Sequence, residues 1–345
     1  MRGARFPVKR GLVFSVLLAL GVLCGEFWPA PRPDLLLPAA EPVKKLDPVA
    51  WGGDHVGRPL PEFVTGGECL FCHRVDVGPA WQTNRHNLTV RDAEPGSPEV
   101  AALWASSSHR ALVEEVKLVL GGKNRVRYLK PTAAYGQAAV LSTQWVPPRD
   151  GQSGRLIDTR SPRWDEKQFG ASCAGCHASG VESKTRTFST LSLDCYVCHG
   201  EVTLEHTKDT ALAWLSKKRN DPPRAVTSIC AQCHVRTGHS RSSGLPYPNH
   251  FVAGDNLFRD FAVDFSDRAI ARLNPADRHV LENVRDVVVY GKEDVTCLSC
   301  HTVHKPSGKK HHKVGNTAYC TSCHNPTGPK SVREPYEVHS RTCEY

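Results

Sequence analysis

Twelve of the fourteen cysteines in this 345-residue chain occur in pairs with two residues between them. Such a pair can hold a zinc ion, form a disulfide or attach a haem, because both sulfurs can reach the same object. In every pair the second cysteine is followed directly by a histidine. In chain order, the six motifs are Cys69, Cys72 and His73; Cys173, Cys176 and His177; Cys195, Cys198 and His199; Cys230, Cys233 and His234; Cys297, Cys300 and His301; and Cys320, Cys323 and His324.

The recurring histidine separates these alternatives. A zinc ribbon also uses two such pairs about twenty residues apart, and the pairs that begin at Cys173 and Cys195 would suit it. Zinc places no demand on the next residue, however, and histidine makes up only 17 of 345 residues. Covalent haem c needs it, since two thioethers hold the porphyrin and the adjacent imidazole binds the iron. We therefore predict six covalently bound haem c groups, attached through these twelve cysteines and ligated by these six histidines.

The second axial ligand of each iron should also be histidine. The only methionine is Met1, outside the haem-bearing part of the chain, and of the 17 histidines only six are used by the motifs. His304 follows His301 by three residues, so it cannot reach the opposite face of the same haem and must serve a neighbour. For any single candidate the alternative is a solvated or hydrogen-bonded side chain, and His239 and His250 are reserves. The predicted distal ligands are His86, His109, His206, His279, His304 and His339.

The composition predicts a fold organised around its cofactors. With six haems in residues 61–345 there are roughly 48 residues per haem, too few for an ordinary packed domain around each. We expect a mainly α fold with extensive irregular loops around stacked haems, consistent with 25 prolines and 27 glycines. The long stretch between the first and second motifs needs structure of its own. Residues 113–130, with Gly121 and Gly122 at their centre, and residues 138–146 read as strands of a small β element.

Two helices are predicted outside the motifs. One begins where Ser97 is followed by Pro98, a cap residue and a first-turn proline. The other begins at Asn274, carries an apolar stripe and ends at Gly291, directly before the fifth motif.

The N-terminus predicts export. Four basic residues precede an apolar run over residues 11–24, which is typical of a secretory signal. Residues 1–28 are therefore a signal peptide or an uncleaved signal anchor, residues 29–60 a proline-rich tether, and residues 61–345 a hexahaem domain. A periplasmic or other extracytoplasmic location follows, with membrane anchoring through the N-terminus left open.

The formal charge of +9 would by itself suit a nucleic-acid or acidic-membrane partner. Each haem brings two propionates, however, so the loaded protein should be close to neutral. We therefore expect no nucleic-acid partner.

Several segments together resemble a known family. They are the W-x-x-[S/N]-x-H pattern at residues 81–86 and 104–109, GGKNRVRYL, CAGCHASG, DCYVCHGEVTLEH, ICAQCHVRTG, F-x-x-G-D at residues 251–255, and TCLSCHTVH. The chain is similar here to multihaem cytochromes c related to the tetrahaem cytochrome of nitrification and to hydroxylamine oxidoreductase. The resemblance implies bis-histidine haems in parallel and perpendicular stacked pairs, periplasmic electron transfer, and distal roles for His206 and His304. No motif has lysine in place of the histidine, as in pentahaem nitrite reductases.

Two functions remain open from the sequence. The first is an electron carrier or electron-transfer subunit, whose haems connect redox proteins of a respiratory chain and which needs no catalytic residues. The second is a multihaem oxidoreductase that acts on a small nitrogen or sulfur compound at one haem with an open coordination position.

Overall fold

The computed structural model of the protein describes residues 45–149, 151–293 and 295–304. The predicted signal segment, the sixth motif with its ligand His324, and the candidate distal ligand His339 lie outside the described residues. The described end of the predicted tether packs against the domain, since the side-chain amide of Asn256 donates to the Pro48 carbonyl at 2.6 Å. The Trp51 ring lies 6.4 Å from that of Phe258. Packing therefore starts before the predicted boundary at residue 61.

An antiparallel sheet fills the stretch between the first and second motifs, as predicted, and it is larger than the small element expected. Its strands are β1 (Val90–Asp92), β2 (Leu118–Gly121), β3 (Val126–Pro131), β4 (Ala138–Val146), β5 (Arg155–Ile157) and β6 (Trp164–Asp165). The order is β1-β2-β3-β4-β5, and β6 pairs with β4 beside β5. Gly121 ends β2 with φ +82°, a conformation that suits glycine. Shorter two-stranded pairs follow, made by β7 (Ala178–Ser179) with β8 (Thr190–Leu191) and by β9 (His239–Ser240) with β10 (Phe261–Ala262).

The sheet is covered on both faces, because alternate residues of each strand point to opposite sides. One face packs with Leu103 and Val113 through Tyr128 and Leu141. The Tyr128 hydroxyl donates to the Glu99 carbonyl at 2.7 Å, so its polar end is satisfied. The register of β3 against β4 shifts between Arg127 and Leu129, which marks a bulge. Leu129 directly follows Tyr128, so its side chain points to the other face. That face packs Leu129, Val140 and Phe169, immediately ahead of the second haem motif.

The remaining described residues form short helices and loops. The helices are α1 (Gly66–His73), α2 (Gly78–Gln82), α3 (Pro98–Ala105), α4 (Arg110–Val113), α5 (Ala174–His177), α6 (Cys195–His199), α7 (Pro223–His234), α8 (Asp267–Ala271), α9 (Pro275–Val288) and α10 (Cys297–Cys300). The predicted starts of α3 and α9 are confirmed. At α9 the Asn274 side chain accepts the N–H groups of Ala276 and Asp277, both at 3.1 Å, and so caps the helix. Among the described residues, no helix combines the length and apolar character needed to cross a lipid bilayer.

Helix α9, the longest among the described residues, positions the fourth motif. The buried face of α9, with Leu281, Val284 and Val288, packs against Ala231 of α7 and Phe258. Burying an aliphatic side chain of this size contributes roughly 1.5–3 kcal/mol. The α7–α9 contact therefore holds the helix that carries Cys230, Cys233 and His234.

Candidate haem-binding sites

The described motifs lie at the ends of helices. Helices α1, α5, α6 and α7 each end on the motif histidine, and α10 ends one residue before His301. Residues three and four apart share a helix face, so two cysteines and the following histidine can approach one planar group. The Asp194 side chain caps α6 by accepting the Cys195 N–H at 2.5 Å. Local helical geometry therefore aligns each attachment site.

Three motif histidines face a second imidazole. The ring centroids are 6.1 Å apart for His73 and His206 and 5.8 Å apart for His199 and His304. The rings of His234 and His86 are 6.2 Å apart. Two rings on opposite sides of one iron should lie about 6 Å apart, because each metal–nitrogen bond is about 2 Å and each ring adds about 1 Å. The three separations fit a bis-histidine iron.

Hydrogen bonds to Nδ1 leave Nε2 of these rings available to a metal. The Nδ1 atoms of His199 and His206 lie 2.6 Å from the carbonyl oxygens of Trp214 and Thr203, to which each can donate. Nδ1 of His73 lies 3.1 Å from a carboxylate oxygen of Asp76. Ligating histidines characteristically donate the other ring N–H to such an acceptor, which fixes tautomer and orientation.

The electrostatic surroundings keep several imidazoles neutral. Desolvation by burial lowers the pKa of His86 and of His304. Burial also lowers the pKa of His199, against a smaller raising effect of the hydrogen bond to Trp214. A neutral imidazole has the free lone pair that iron binds. These histidines are therefore suited to ligation at neutral pH.

The first site also has apolar walls. Phe71 of α1 and Val75, two residues beyond the end of α1, flank His73 in sequence, and they are 77% and 80% exposed. Leu204, two residues before His206, is 80% exposed. Large apolar side chains gathered on a surface mark a binding site more often than bulk solvent contact. A porphyrin held between His73 and His206 would contact these side chains, so the residues present fit haem.

Cys72 differs from the other predicted attachment cysteines in its exposure, and His324 differs from the other predicted proximal ligands because it lies outside the described residues. Cys72 is exposed, whereas the other nine motif cysteines in the described part of the chain are partly buried. Because Cys72 lies on α1 beside the exposed Phe71, a porphyrin attached there would lie at the protein surface rather than in a core. His324 lies outside the described residues, together with Cys320 and Cys323, and its role as an iron ligand remains a prediction.

Contacts between motifs bring the sites close together. The sulfurs of the first and third motifs, the second and fourth, and the fourth and fifth lie close enough together to influence one another. The Asp194 carboxylate also accepts the Gly66 N–H at 2.8 Å, which ties α1 to α6. The side-chain amide of Gln232 donates to the Val197 carbonyl at 3.3 Å, which ties α7 to α6. The paired sulfurs are Cys69 with Cys195, Cys176 with Cys233, and Cys230 with Cys297.

The second motif differs from the three paired sites. Burial lowers the pKa of His177 to about 4, with a smaller lowering effect from the charge of Arg236. Its Nδ1 is buried without a hydrogen-bond partner in the part of the chain that the structure describes. No imidazole of the described residues faces His177. For the fifth motif, the structure places His301 within Coulombic range of His234.

Two candidate ligands lie in other surroundings. His109 is fully buried beside the sheet, with Nε2 2.7 Å from the Thr143 hydroxyl and Nδ1 2.8 Å from that of Ser106. Both ring nitrogens of His109 are therefore hydrogen-bonded to hydroxyls. An iron ligand needs one ring nitrogen free for the metal, so this arrangement differs from the predicted ligand role. His279 lies exposed on α9, next to the Asn283 side chain. Within the described ranges, no ring contact joins His109 to a motif imidazole.

Two supporting residues were not identified from the sequence. The Asn84 side chain holds the His86 backbone N–H at 2.8 Å and donates to the Val303 carbonyl at 2.5 Å. The Trp81 ring packs edge-on against His304, with centroids 6.3 Å apart. Both belong to the first W-x-x-[S/N]-x-H pattern, so this pattern positions ligands of two different sites. The recurrence of this pattern in the sequence was the signal that could have identified Trp81 and Asn84 as supporting residues.

Residues 166–247, which contain the second, third and fourth motifs, match the family model for cytochrome c3. These residues are therefore similar to multihaem c-type cytochromes. The match indicates covalently bound haem c and electron transfer; the narrower relationship to hydroxylamine oxidoreductase remains a prediction. A similar solved structure is the undecahaem cytochrome from the S-layer of Carboxydothermus ferrireducens, with 17% identity and a TM-score of 0.42. The match covers 79% of this chain and 44% of that one, so the chain spans less than half of its length.

Proposed function

We propose that the chain is an exported hexahaem cytochrome that transfers electrons between redox partners along mostly bis-histidine haems. The observation that carries the proposal is the set of three imidazole pairs at 5.8–6.2 Å, each with one motif histidine. Haem iron supplies the one-electron step when bound. The protein's own residues fix the axial ligands and the spacing between sites.

The contacts between motifs support a route that differs from chain order. The first and third motifs touch through Cys69 and Cys195. The third is tied to the fourth by the hydrogen bond from Gln232 to Val197. The fourth touches both the second and the fifth through its two cysteines. We therefore propose a path from the first site through the third to the fourth, with branches to the second and fifth.

The ligand histidines need no proton exchange during this transfer. Burial disfavours the charged form of His86, His199 and His304, so each can remain neutral and ligated in both oxidation states. Carbonyl acceptors on His199 and His206 hold the rings in place. A fixed ligand set favours fast electron transfer, because little has to move when the charge changes.

A second candidate function has its own supporting observation. Since no described imidazole faces His177, the second haem is a candidate for an open face that a small nitrogen or sulfur compound could reach. The chain would then be a multihaem oxidoreductase with an open iron. His339, outside the described residues, is the remaining predicted ligand that could close that position.

One experiment separates the two functions. The oxidised holoprotein should show only low-spin haem in its electron paramagnetic resonance spectrum, and the reduced holoprotein should not bind carbon monoxide. Carbon monoxide bound to about one haem per chain, with a matching high-spin ferric signal, would contradict the carrier and favour the oxidoreductase.

The location and partners belong to the same proposal. The signal-like segment at residues 1–28 supports export to the periplasm or another extracytoplasmic space, with redox proteins of a respiratory chain as partners. Cell fractionation and N-terminal sequencing of the mature protein test this. Recovery of the haem-loaded protein in the cytoplasm would contradict it, and an intact segment in the membrane fraction would identify an anchor.

A further inference from the structure

A cavity of about 630 Å³ opens on the sheet between β3, β4 and the turn that joins β5 to β6. Its lining includes Arg127 of β3, Gln144 of β4, and Asp158, Arg160 and Arg163 from the turn. No cysteine or histidine of a haem motif lines it, so it is separate from the haem sites described above. Its volume lies within the roughly 300–1,000 Å³ that small-molecule sites occupy.

The acidic groups around the cavity are already engaged. Asp165 accepts the backbone N–H groups of Lys167 and Gln168 at 2.9 and 3.0 Å. The Asp158 carboxylate accepts from the Gln144 side-chain amide at 2.9 Å.

The basic groups are not engaged in the same way. The guanidinium groups of Arg127, Arg160 and Arg163 have no hydrogen-bond or ion-pair partner among residues 45–149, 151–293 and 295–304. A guanidinium fork matches carboxylate and phosphate oxygens. The three guanidinium groups outnumber the two carboxylates of Asp158 and Asp165, so the lining carries a net positive charge.

The cavity adjoins the second haem motif. Gln168 lines it and directly precedes the turn at Phe169–Cys173, which ends on the first attachment cysteine of that motif. The guanidinium of Arg127 lies within Coulombic range of this cysteine. A change of charge in the cavity would therefore be felt at the second haem.

We propose that this cavity binds a small solute with two or more anionic groups, carboxylate or phosphate, and that the bound anion lowers the reduction potential of the second haem. Positive charge near an iron favours the reduced form, so an anion that neutralises Arg127 favours the oxidised form. The potential effect rests on haem attachment at Cys173 and Cys176, whereas the binding does not. Propionates of the second haem offer the same chemistry, and the experiment distinguishes them from a free solute.

The first arm measures binding. Citrate is titrated into the wild-type holoprotein at low salt, and binding is measured by isothermal calorimetry. The same titration is made with three variants, Arg127→Gln, Arg160→Gln and the control Arg155→Gln. Arg155 is an exposed β5 residue outside the cavity, 3.4 Å from the Gln152 side chain. We expect binding that is at least tenfold weaker in Arg127→Gln and Arg160→Gln and unchanged in Arg155→Gln. No binding by the wild type, or equal binding by all variants, overturns the proposal. Arg160 is exposed, so its variant keeps the test valid if Arg127→Gln fails to fold.

The second arm measures potentials by spectroelectrochemistry. Citrate should lower the potential of one haem in the wild type and in Arg155→Gln but not in Arg127→Gln. If Arg127→Gln lowers that potential while citrate neither binds nor shifts it in the wild type, the arginines hold haem propionates and the free-solute site is wrong. A chain without haem at the second motif would contradict the proposed function, while the binding arm would still decide this inference.

Discussion

At the residue scale, the proposed ligand histidines differ mainly in the group that accepts a hydrogen bond from their Nδ1. For His199 and His206 the acceptor is a backbone carbonyl, whereas for His73 it is the Asp76 carboxylate. A carboxylate makes the imidazole a stronger donor to iron and stabilises the oxidised state. Similar bis-histidine sites can therefore have different potentials, as a chain of electron carriers requires.

Asp76→Asn should raise the potential of the first haem, because the neutral amide no longer strengthens His73 as a ligand. Since Asp76 is exposed, the rise should stay below about 59 mV, the value of a tenfold change in a one-electron equilibrium. Spectroelectrochemical titration measures it. Asp264→Asn, which changes an exposed carboxylate bonded to the Ser266 N–H, is the matched control and should leave every potential unchanged. Equal titrations for both variants would contradict the assigned role.

His304→Ala should turn one haem high-spin, because the structure places His304 opposite His199 at 5.8 Å. All haems should remain attached, since no thioether is lost. Electron paramagnetic resonance gives the spin state and mass spectrometry the haem number. The control His239→Ala changes an exposed histidine on β9 and should have no effect. An unchanged low-spin spectrum in His304→Ala would mean that His304 is not an iron ligand.

At the element scale, short helices are held side by side where motifs meet. Helix α5 is one turn long, too short to be stable alone, so its position depends on packing. The Cys233 sulfur of α7 lies 3.7 Å from the Gly175 carbonyl of α5. A Cβ added at Gly175 would lie 2.2 Å from the Tyr247 ring. Glycine inside this motif is thus required by a close approach, not by backbone conformation.

Gly175→Ala should destabilise the protein by about 1–3 kcal/mol, the usual cost of overpacking a filled space. Thermal unfolding of the holoprotein followed by circular dichroism measures the loss. Gly96→Ala is the matched control, because no atom lies within 4 Å of an added Cβ there. Similar melting temperatures for the two variants would show that α5 and Tyr247 are not closely packed.

At the scale of the whole molecule, the three facing imidazole pairs all lie between residues 73 and 304. All three pairs join segments far apart in the chain: His73 meets His206, His86 meets His234, and His199 meets His304. Each such pair closes a loop of more than a hundred residues. Haem binding and folding should therefore be strongly linked, because a ligand that binds only the folded state stabilises it.

Replacing Cys320 and Cys323 by alanine should lower the mass of the haem-loaded chain by one haem, from six to five, and leave His324 without a tethered iron. The low-spin signals of the three paired sites should persist, because none of their ligands lies beyond residue 304. Mass spectrometry after acid and organic extraction counts covalent haems, and electron paramagnetic resonance follows the paired sites. An unchanged haem number would contradict attachment at the sixth motif, and loss of the paired signals would show that the C-terminal segment supports them.

The sequence by itself determined the cofactor chemistry, because cysteine and histidine at fixed local spacing are enough to define haem attachment, and a cytochrome c3 match over residues 166–247 agrees. It also predicted the strands around Gly121 and the start of α9 at Asn274, where turn and cap residues act over a few positions. Only the tertiary structure decided which imidazoles face each other. His86 reaches His234 across the chain, while His109, from the same tryptophan–histidine pattern, binds hydroxyls beside the sheet. The two look alike in sequence because a distal ligand is chosen by long-range packing, which local spacing does not encode.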